Sequence, residues 1–371
     1  MPIALVTNYL PPYRLPLYRR LHERYGIEVH CFGGTPHYVP ESLRDLDRQL
    51  AEAPFPAHRL ARERDAGKLP GGNAAVIAAI AGRVALPSSY RAAQKSKTPF
   101  ILWASLWRHP LTIPHTFSLR LMKRIYRRAD AIVTYGDHVS RYVGRYRRGM
   151  HGVFTAPQAV EPELFGRDVS GEEIRAWRDE ILAGADLDPD APIVLFVGRL
   201  VRDKGVDVLL RAWRRLGRAD VVLCLVGDGP LAQRAGKAGA EVVLAGRMER
   251  ERLPIAYAAA STVVVPSIAT RRFLEPWGLV CNEAMHQGTP VIASAAVGAV
   301  PGALVIHGAT GLVVRAGDDR ELADAIAQVL DDDPLRERLS RLAKAGVERF
   351  NYDAAADAFG KALAWAGEAG A

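Results

Sequence analysis

Cysteine is scarce in this 371-residue chain: Cys31, Cys224 and Cys281 stand alone, and two of them fall in strand-like apolar runs. A disulfide framework or thiolate cluster is therefore not expected, and each reads as a buried free thiol in a reducing cytoplasm. No secretory leader is expected either, because MPIALVTNYLPPYR has neither a basic n-region nor a small-residue cleavage site. The longest uncharged runs are 253–270 and 284–314, and the second is broken by Gly288, Pro290, Gly298, Pro301, Gly302, Gly308 and Gly311. These punctuators exclude one spanning helix of about 20 apolar residues and favour short buried strands and loops. There is no Walker loop, no His/Cys cluster with metal-ligand spacing, and no low-complexity segment or short-period repeat.

What is present is ordinary globular chemistry, 49% hydrophobic and 24% charged, in a chain long enough for two domains. The net charge of +8 is uneven. Residues 1–165 hold 24 Lys+Arg against 12 Asp+Glu, and the remainder holds 25 against 29. Much of the excess sits in SLRLMKRIYRRAD (118–130) and SRYVGRYRRG (140–149), where Arg120, Lys123, Arg124, Arg127 and Arg128 share a segment of helical spacing. Two readings stay open: a solvated face, or a surface for an anionic membrane or acceptor. No nucleic-acid recognition motif accompanies the patch, so nucleic acid is not an expected partner.

PIALVT, a helical YRLPLYRRLHERYG and IEVHC make a βαβ opening, followed by strand candidates in TPFILWASL, DAIVTYGD and HGVFTAPQAV. Residues 169–190 change character and carry a capping-box match, Ser170 with Glu173, so they read as a linker. A second alternation starts with IVLFVG and runs through VVLCLVG, EVVLAGRM and TVVVPS. The expected fold is α/β with two Rossmann-like doubly wound parallel-sheet domains: 1–168, and 191–350 after the linker 169–190. A final amphipathic helix, 351–371, follows.

Two constellations carry chemistry. In FVGRLVRDKG, Gly198 and Arg199 leave a strand and Lys204-Gly205 open the next helix. Two cations beside free helix N–H groups suit an anion, and a surface loop is the plain alternative. In FLEPWGLVCNEAMHQGTP, Glu275 precedes a helix start at Gly278, Leu279 and Val280, with Glu283 two turns further on. Backbone N–H groups there suit phosphate and the carboxylates suit paired hydroxyls, the plain alternative being a helix-surface Glu283 and a capping Glu275. GDGPLA (227–232) imitates a dinucleotide fingerprint but arrives when the sheet is already under way. The Asp-Leu-Asp triplets at 45–47 and 186–188 resemble a metal-binding motif but end no strand.

Together GRLVRDKG, LVGDGPL, the Glu275/Glu283 pair and GTPVIAS resemble the family 4 retaining glycosyltransferases, whose fold is the GT-B type with two domains facing each other across a cleft. The match is specific over 193–314 and weaker in the N-terminal half, through NYLPPYRLPLYRRL and APQAVEPELF. The resemblance implies that Arg199, Lys204 and the N–H groups of Gly278, Leu279 and Val280 hold a donor diphosphate. Glu283 then holds the ribose, Arg247 and Met248 edge the nucleobase, and Glu275 lies beneath the transferred sugar. It also implies that the last helix packs back on the N-terminal domain. The family often has a histidine soon after the third or fourth strand. Here PFILWASLWRHP makes His109 the catalytic-side candidate, several residues late, with Ser105 nearer the expected position. The usual glycine turn after the first strand is replaced by NYLPPYR, a stiffer loop whose Asn8, Tyr13 and Arg14 face donor or acceptor.

The implied activity is a hexosyltransferase-type, metal-independent transfer, with retention, from a UDP- or GDP-sugar to a hydroxyl acceptor, and no cofactor is required. The acceptor is a bacterial glycan, a glycolipid or a natural-product intermediate, lipid-linked or not, which leaves peripheral contact with the inner face of the membrane open. A sugar-nucleotide epimerase of the same fold and a non-catalytic nucleotide-sugar-binding module remain alternatives, as does Glu275 as a covalent nucleophile.

Overall fold

The computed structural model describes residues 1–33, 45–110, 113–183 and 187–370, those at 113–117 and 369–370 by main chain only. They form two compact units, Met1–Ala159 with Asn351–Ala371, and Val160–Phe350.

The first unit holds seven strands, β1 (Ile3–Thr7), β2 (Ile27–Cys31), β3 (Ala57–Arg59), β4 (Ala75–Ala79), β5 (Phe100–Ala104), β6 (Ala131–Thr134) and β7 (Val153–Thr155). All pair in parallel in the order β3-β2-β1-β4-β5-β6-β7. The second holds β8 (Ile193–Val197), β9 (Val222–Val226), β10 (Val242–Gly246), β11 (Thr262–Val265), β12 (Val291–Ser294) and β13 (Gly311–Val314), in the order β10-β9-β8-β11-β12-β13. One topology is thus built twice. In each sheet the order reverses beside the unit's first strand, leaving a crevice at the carboxyl ends of β1/β4 and of β8/β11.

Strands buried on both faces read as continuous apolar runs, and IVLFV and VLCLV are of that kind. β4, AVIAA, is apolar throughout as well but rich in alanine, and the sequence reading missed it although it lies mid-sheet between β1 and β5. Alanine has weak strand preference, so here the flanking strands decide. The helix Val206–Leu216 buries Val206, Leu209, Leu210 and Trp213, the stripe expected of a helix on a sheet. The capping box at Ser170 forms, with Ser170 Oγ accepting from Glu173 N at 3.1 Å and Ser170 N donating to Glu173 Oε2 at 2.9 Å. It starts the helix Gly171–Leu182, whose Trp177 and Ile181 enter the core of the second unit. Of the Asp-Leu-Asp triplet at 186–188, Asp186 lies outside the described residues.

The helix Tyr352–Gly370 packs in the first unit, where Phe359 and Ala362 are fully buried and Phe359 meets Trp103 edge-on at 5.1 Å. At its start the Tyr352 hydroxyl donates to the Tyr13 carbonyl at 2.8 Å. Part of the basic cluster is structural: Arg147 donates to the carbonyls of Tyr126, Ala129, Asp130 and His151. Arg120, Arg124, Arg127 and Arg128 lie exposed on the helix Ile113–Arg128. No helix of the described residues is long and apolar enough to cross a membrane.

Parallel pairing of β2 with β3 sets His30 opposite His58, the rings stacked at 4.8 Å, while His58 Nε2 meets Glu28 Oε2 at 2.8 Å. Among the described residues these form the one group of three or more His/Cys/Asp/Glu close enough to share an ion, their ligand atoms within 4.8 Å of one another. Glu28 and His58 are 30 positions apart, which is why no spacing motif announced the group. Burial, helped by His58 and opposed by Glu28, pushes His30 down to about 4. An unfolded histidine titrates near 6.5, so between about pH 6.5 and 4 the unfolded chain binds a proton that the folded one refuses. Stability from this group is therefore present at neutral pH and lost as pH falls through that window. Replacing His30 with Gln should flatten the pH dependence of the urea-unfolding free energy between pH 7 and 4.5 by about 1–2 kcal/mol, after discounting for solvent screening. An unaltered slope would remove His30 as its source.

Candidate active site

The second unit gathers its chemistry at the ends of β8 and β11. Gly198 leaves β8 at φ +151°, and its carbonyl sits 2.0 Å from where a Cβ on Gly227 would lie. The glycines of GDGPL therefore serve a backbone-to-backbone approach: Leu200 N donates to Asp228 O at 2.6 Å and Leu231 N to Leu200 O at 3.0 Å. That contact explains the dinucleotide-like motif without a dinucleotide. Arg199 is half-buried on the same loop.

A single 3-10 turn, Arg202–Lys204, ends at Gly205 with φ +77°, where a Cβ would lie 1.9 Å from the Pro266 carbonyl. This close pass brings Lys204 against the chain that follows β11. Lys204 Nζ donates to Glu275 Oε2 at 2.5 Å, and Ser267 Oγ donates to the same oxygen at 3.2 Å. The Phe273 ring flanks the ammonium at 6.0 Å. Glu275 is 7% exposed, and its main chain is anchored too, by a bridge to Val297 and by Gly298 N donating to its carbonyl at 3.2 Å. Ser267 is in turn fixed by Ser294 Oγ, which donates to its carbonyl.

The sequence placed Glu283 two turns inside a helix. The helix is Val280–His286 and Glu283 is in its first turn, because Glu275 to Gly278 run as a strap tied to Val297 and Gly298. Gly278, at φ +94°, turns the chain into the helix, whose cap Leu279 has no side-chain hydrogen bond. The N–H groups of Gly278, Leu279 and Val280 thus lie at the helix entrance. Glu283 accepts from the Tyr257 hydroxyl at 2.5 Å. Burial pushes its carboxyl up, against the Tyr257 hydrogen bond and the charge of Arg250, and Tyr257 is itself pushed far up by burial and by Glu283. Tyr257 and Ser267, the partners that orient the two carboxylates, were absent from the sequence reading, although Ser267 stands two residues past β11, where strand-end ligands collect. Arg247 follows β10 and is exposed, with Nε 2.8 Å from Asp228 Oδ2; the half-buried Met248 packs on the core.

In the first unit Asn8, Tyr13, Arg14 and Ser105 line one pocket of about 330 Å³ at the carboxyl ends of β1, β4 and β5. His109 does not line it. That histidine is buried, its Nε2 3.4 Å from Ser118 Oγ.

Two parallel sheets of this strand order define the GT-B fold, and solved GT-B structures match nearly the whole chain. A protein of Anabaena, HepE, solved with UDP and also with UDP-glucose, superposes with a TM-score of 0.78 at 20% identity in its UDP complex, covering 98% of this chain and 100% of that one. Residues 178–346 match the family described as glycosyl transferases group 1. Over that stretch, under half of its length, the chain is similar to group 1, the family 4 type. A D-inositol 3-phosphate glycosyltransferase of Corynebacterium aurimucosum is 40% identical over 179 residues, 44% of this chain and 41% of the relative. An alpha-D-kanosaminyltransferase of Streptomyces kanamyceticus is 34% identical over 194 residues, 50% and 48% of the two chains. The chain spans about half the length of the curated relatives it matches.

Because a Cβ at Gly205 would overlap the Pro266 carbonyl, and L side chains are strained at its φ, Gly205→Ala should cost about 2 kcal/mol or more. The urea midpoint measures this, and an unshifted midpoint would show that the Lys204 turn is not held by that approach.

Proposed function

We propose that this chain is a retaining glycosyltransferase that moves a hexose from a nucleoside-diphosphate donor, UDP- or GDP-linked, to a hydroxyl acceptor without requiring a metal. The observation carrying this reading is the Lys204–Glu275 contact at the β8/β11 crevice, beside Arg199 and an uncapped helix entrance. It is supported by the group 1 match and by the nucleotide complexes of the structurally similar Anabaena protein.

Breaking the bond between the sugar's anomeric carbon and the phosphate oxygen leaves negative charge on the diphosphate. Arg199, Lys204 and the N–H groups of Gly278 to Val280 are then the preorganised counter-charge, the type of interaction that lowers such barriers most. The acceptor oxygen forms its new bond on the face the phosphate leaves, and its proton passes to the departing phosphate oxygen. Glu275, gripped by Lys204 and Ser267, lies beneath the sugar and holds its hydroxyls. Glu283 has one oxygen committed to Tyr257, and the other accepts from the ribose. In this reading His109 or Ser105 serves the sugar side, and Arg247 and Met248 edge the base. The exposed Arg124, Arg127 and Arg128 supply peripheral contact with an anionic membrane. Their joint replacement by Ser should abolish salt-sensitive liposome binding, and unchanged binding would return the patch to solvent.

Calorimetric titration with UDP, GDP, ADP and TDP, with and without magnesium, tests the site. Metal-independent binding of one diphosphate is expected, lost in an Arg199→Ala/Lys204→Ala double variant. Glu275→Ala should lower transfer about a thousandfold or more with nucleotide affinity nearly intact. Glu283→Gln should weaken nucleotide binding about tenfold while leaving stability at pH 7 unchanged or higher, because the buried charge is gone. Donor consumed without acceptor, yielding an isomeric nucleotide sugar, would point to an epimerase, and no nucleotide binding at all would refute the proposal.

A further inference from the structure

The pocket of the first unit has its own chemistry. Arg14 is only 8% exposed, yet no carboxylate pairs with it among the described residues. Its guanidinium lies 4.0 Å from the Trp103 ring centroid and 4.9 Å from that of Tyr135, and it donates to the Tyr135 hydroxyl and, at 3.5 Å, to Gln158 Oε1. Aromatic faces and neutral acceptors hold a cation in place without neutralising it. A buried charge left so is costly unless something else completes it.

The lining shows what is missing. Beside Arg14 the pocket presents the Asn8 amide and the hydroxyls of Tyr13, Ser105 and Tyr135, and no Asp or Glu is among the described residues that line it. Glu63 reaches the adjoining Gly82 turn, but its Oε2 is committed to the N–H groups of Arg83, Val84 and Ala85 at 2.9, 2.7 and 3.3 Å. The 11-residue helix Leu15–Tyr25 begins at Arg14 without a side-chain cap, so its positive end faces the same way. The loop is rigid: Pro11 and Pro12 precede it, Tyr352 holds the Tyr13 carbonyl, and Trp103 is wedged between Arg14 and Phe359. A cation fixed this firmly in a donor-rich pocket whose described lining holds no acid is prepared for an anion.

We propose that the β1/β4 pocket binds an anionic group, phosphate or carboxylate, carried by the acceptor substrate, with Arg14 as its counter-charge and Asn8 and Ser105 as supporting donors. This rests on the transferase reading above and narrows its acceptor to a compact anionic hydroxyl compound. A volume of about 330 Å³ suits a group the size of one substituted sugar ring.

Glucose 6-phosphate, glucuronate and glucose, titrated at constant ionic strength, serve as phosphate, carboxylate and neutral probes. At least one anionic probe should bind tenfold or more tightly than glucose, and which one does so identifies the anion. Arg14→Gln should erase that preference while leaving the affinity for UDP, or whichever diphosphate binds, unaltered. Should Arg14→Gln fail to fold, Ser105→Glu keeps the guanidinium stacked and supplies an internal carboxylate, and it should abolish the preference equally. Equal binding of all three probes by the native protein, or a preference that survives both variants, would overturn the proposal. So would loss of nucleotide affinity in Arg14→Gln, which would assign Arg14 to the donor. Failure of the native protein to bind any nucleotide would instead strike the transferase reading, since that binding is assigned to the second unit.

Discussion

The contact between the Lys204 ammonium and the Glu275 carboxylate, 2.5 Å long and mostly buried, is the constraint around which the second unit is arranged. Its partners lie 71 residues apart and follow adjacent parallel strands, so the pair forms only if both loops pass close over the sheet end. Gly205 lets one loop touch Pro266, and Gly298 lets the strap at Pro276 lie on the next, a Cβ there being 2.0 Å from the Pro276 carbonyl. A partly desolvated ion pair adds little net stability, because removing both charges from water costs about what their attraction returns. Fixing position is what the contact accomplishes, and a fixed cation beside a fixed carboxylate is what a ligand with phosphates and hydroxyls requires.

The same strand order produces different chemistry at its two crevices. At β8/β11 the cations come with two carboxylates, while at β1/β4 one buried guanidinium comes with none among the described residues. The uneven charge of the sequence runs in the same direction, basic over 1–165 and slightly acidic beyond. Both crevices use residues just past strand ends, because the sheet holds these rigid while the loops stay free to vary.

What the sequence disclosed follows from this geometry. Valine- and isoleucine-rich strands, the capping box at Ser170 and the order of motifs over 193–314 are local signals, and local patterns suffice to read them. β4 escaped because alanine-rich AVIAA carries little strand preference, and β3 because three residues at a sheet edge carry almost no pattern. Lys204 and Glu275 were each singled out from their glycine-bounded loops, but their mutual contact was not legible, since it depends on how two loops pack. Tyr257, Ser267 and the Glu28–His30–His58 group were invisible for the same reason: each is made by pairing across strands or helices. The burial of Arg14 against Trp103 needs β5 and the helix Tyr352–Gly370 in place before the loop has anything to rest on.

The two glutamates of the strap and helix, eight positions apart, end in unlike surroundings. Glu275 accepts from an ammonium and a hydroxyl, so its charge has a counter-charge in contact. Glu283 accepts from a neutral phenol, and burial disfavours its charged form. In the proposed reading a diphosphate beside Lys204 would compete for the cation that compensates Glu275, so the lysine would be shared between ligand and protein and would couple the phosphates to the position of that carboxylate. Ribose hydroxyls at Glu283 would, on the same reading, displace no counter-charge: they would add donors to an undersupplied carboxylate and favour its ionised form. On the proposed reading one carboxylate would sense the phosphates through a common lysine and the other would be completed by the ligand itself, giving the two ends of a single nucleotide distinct roles in ordering the site.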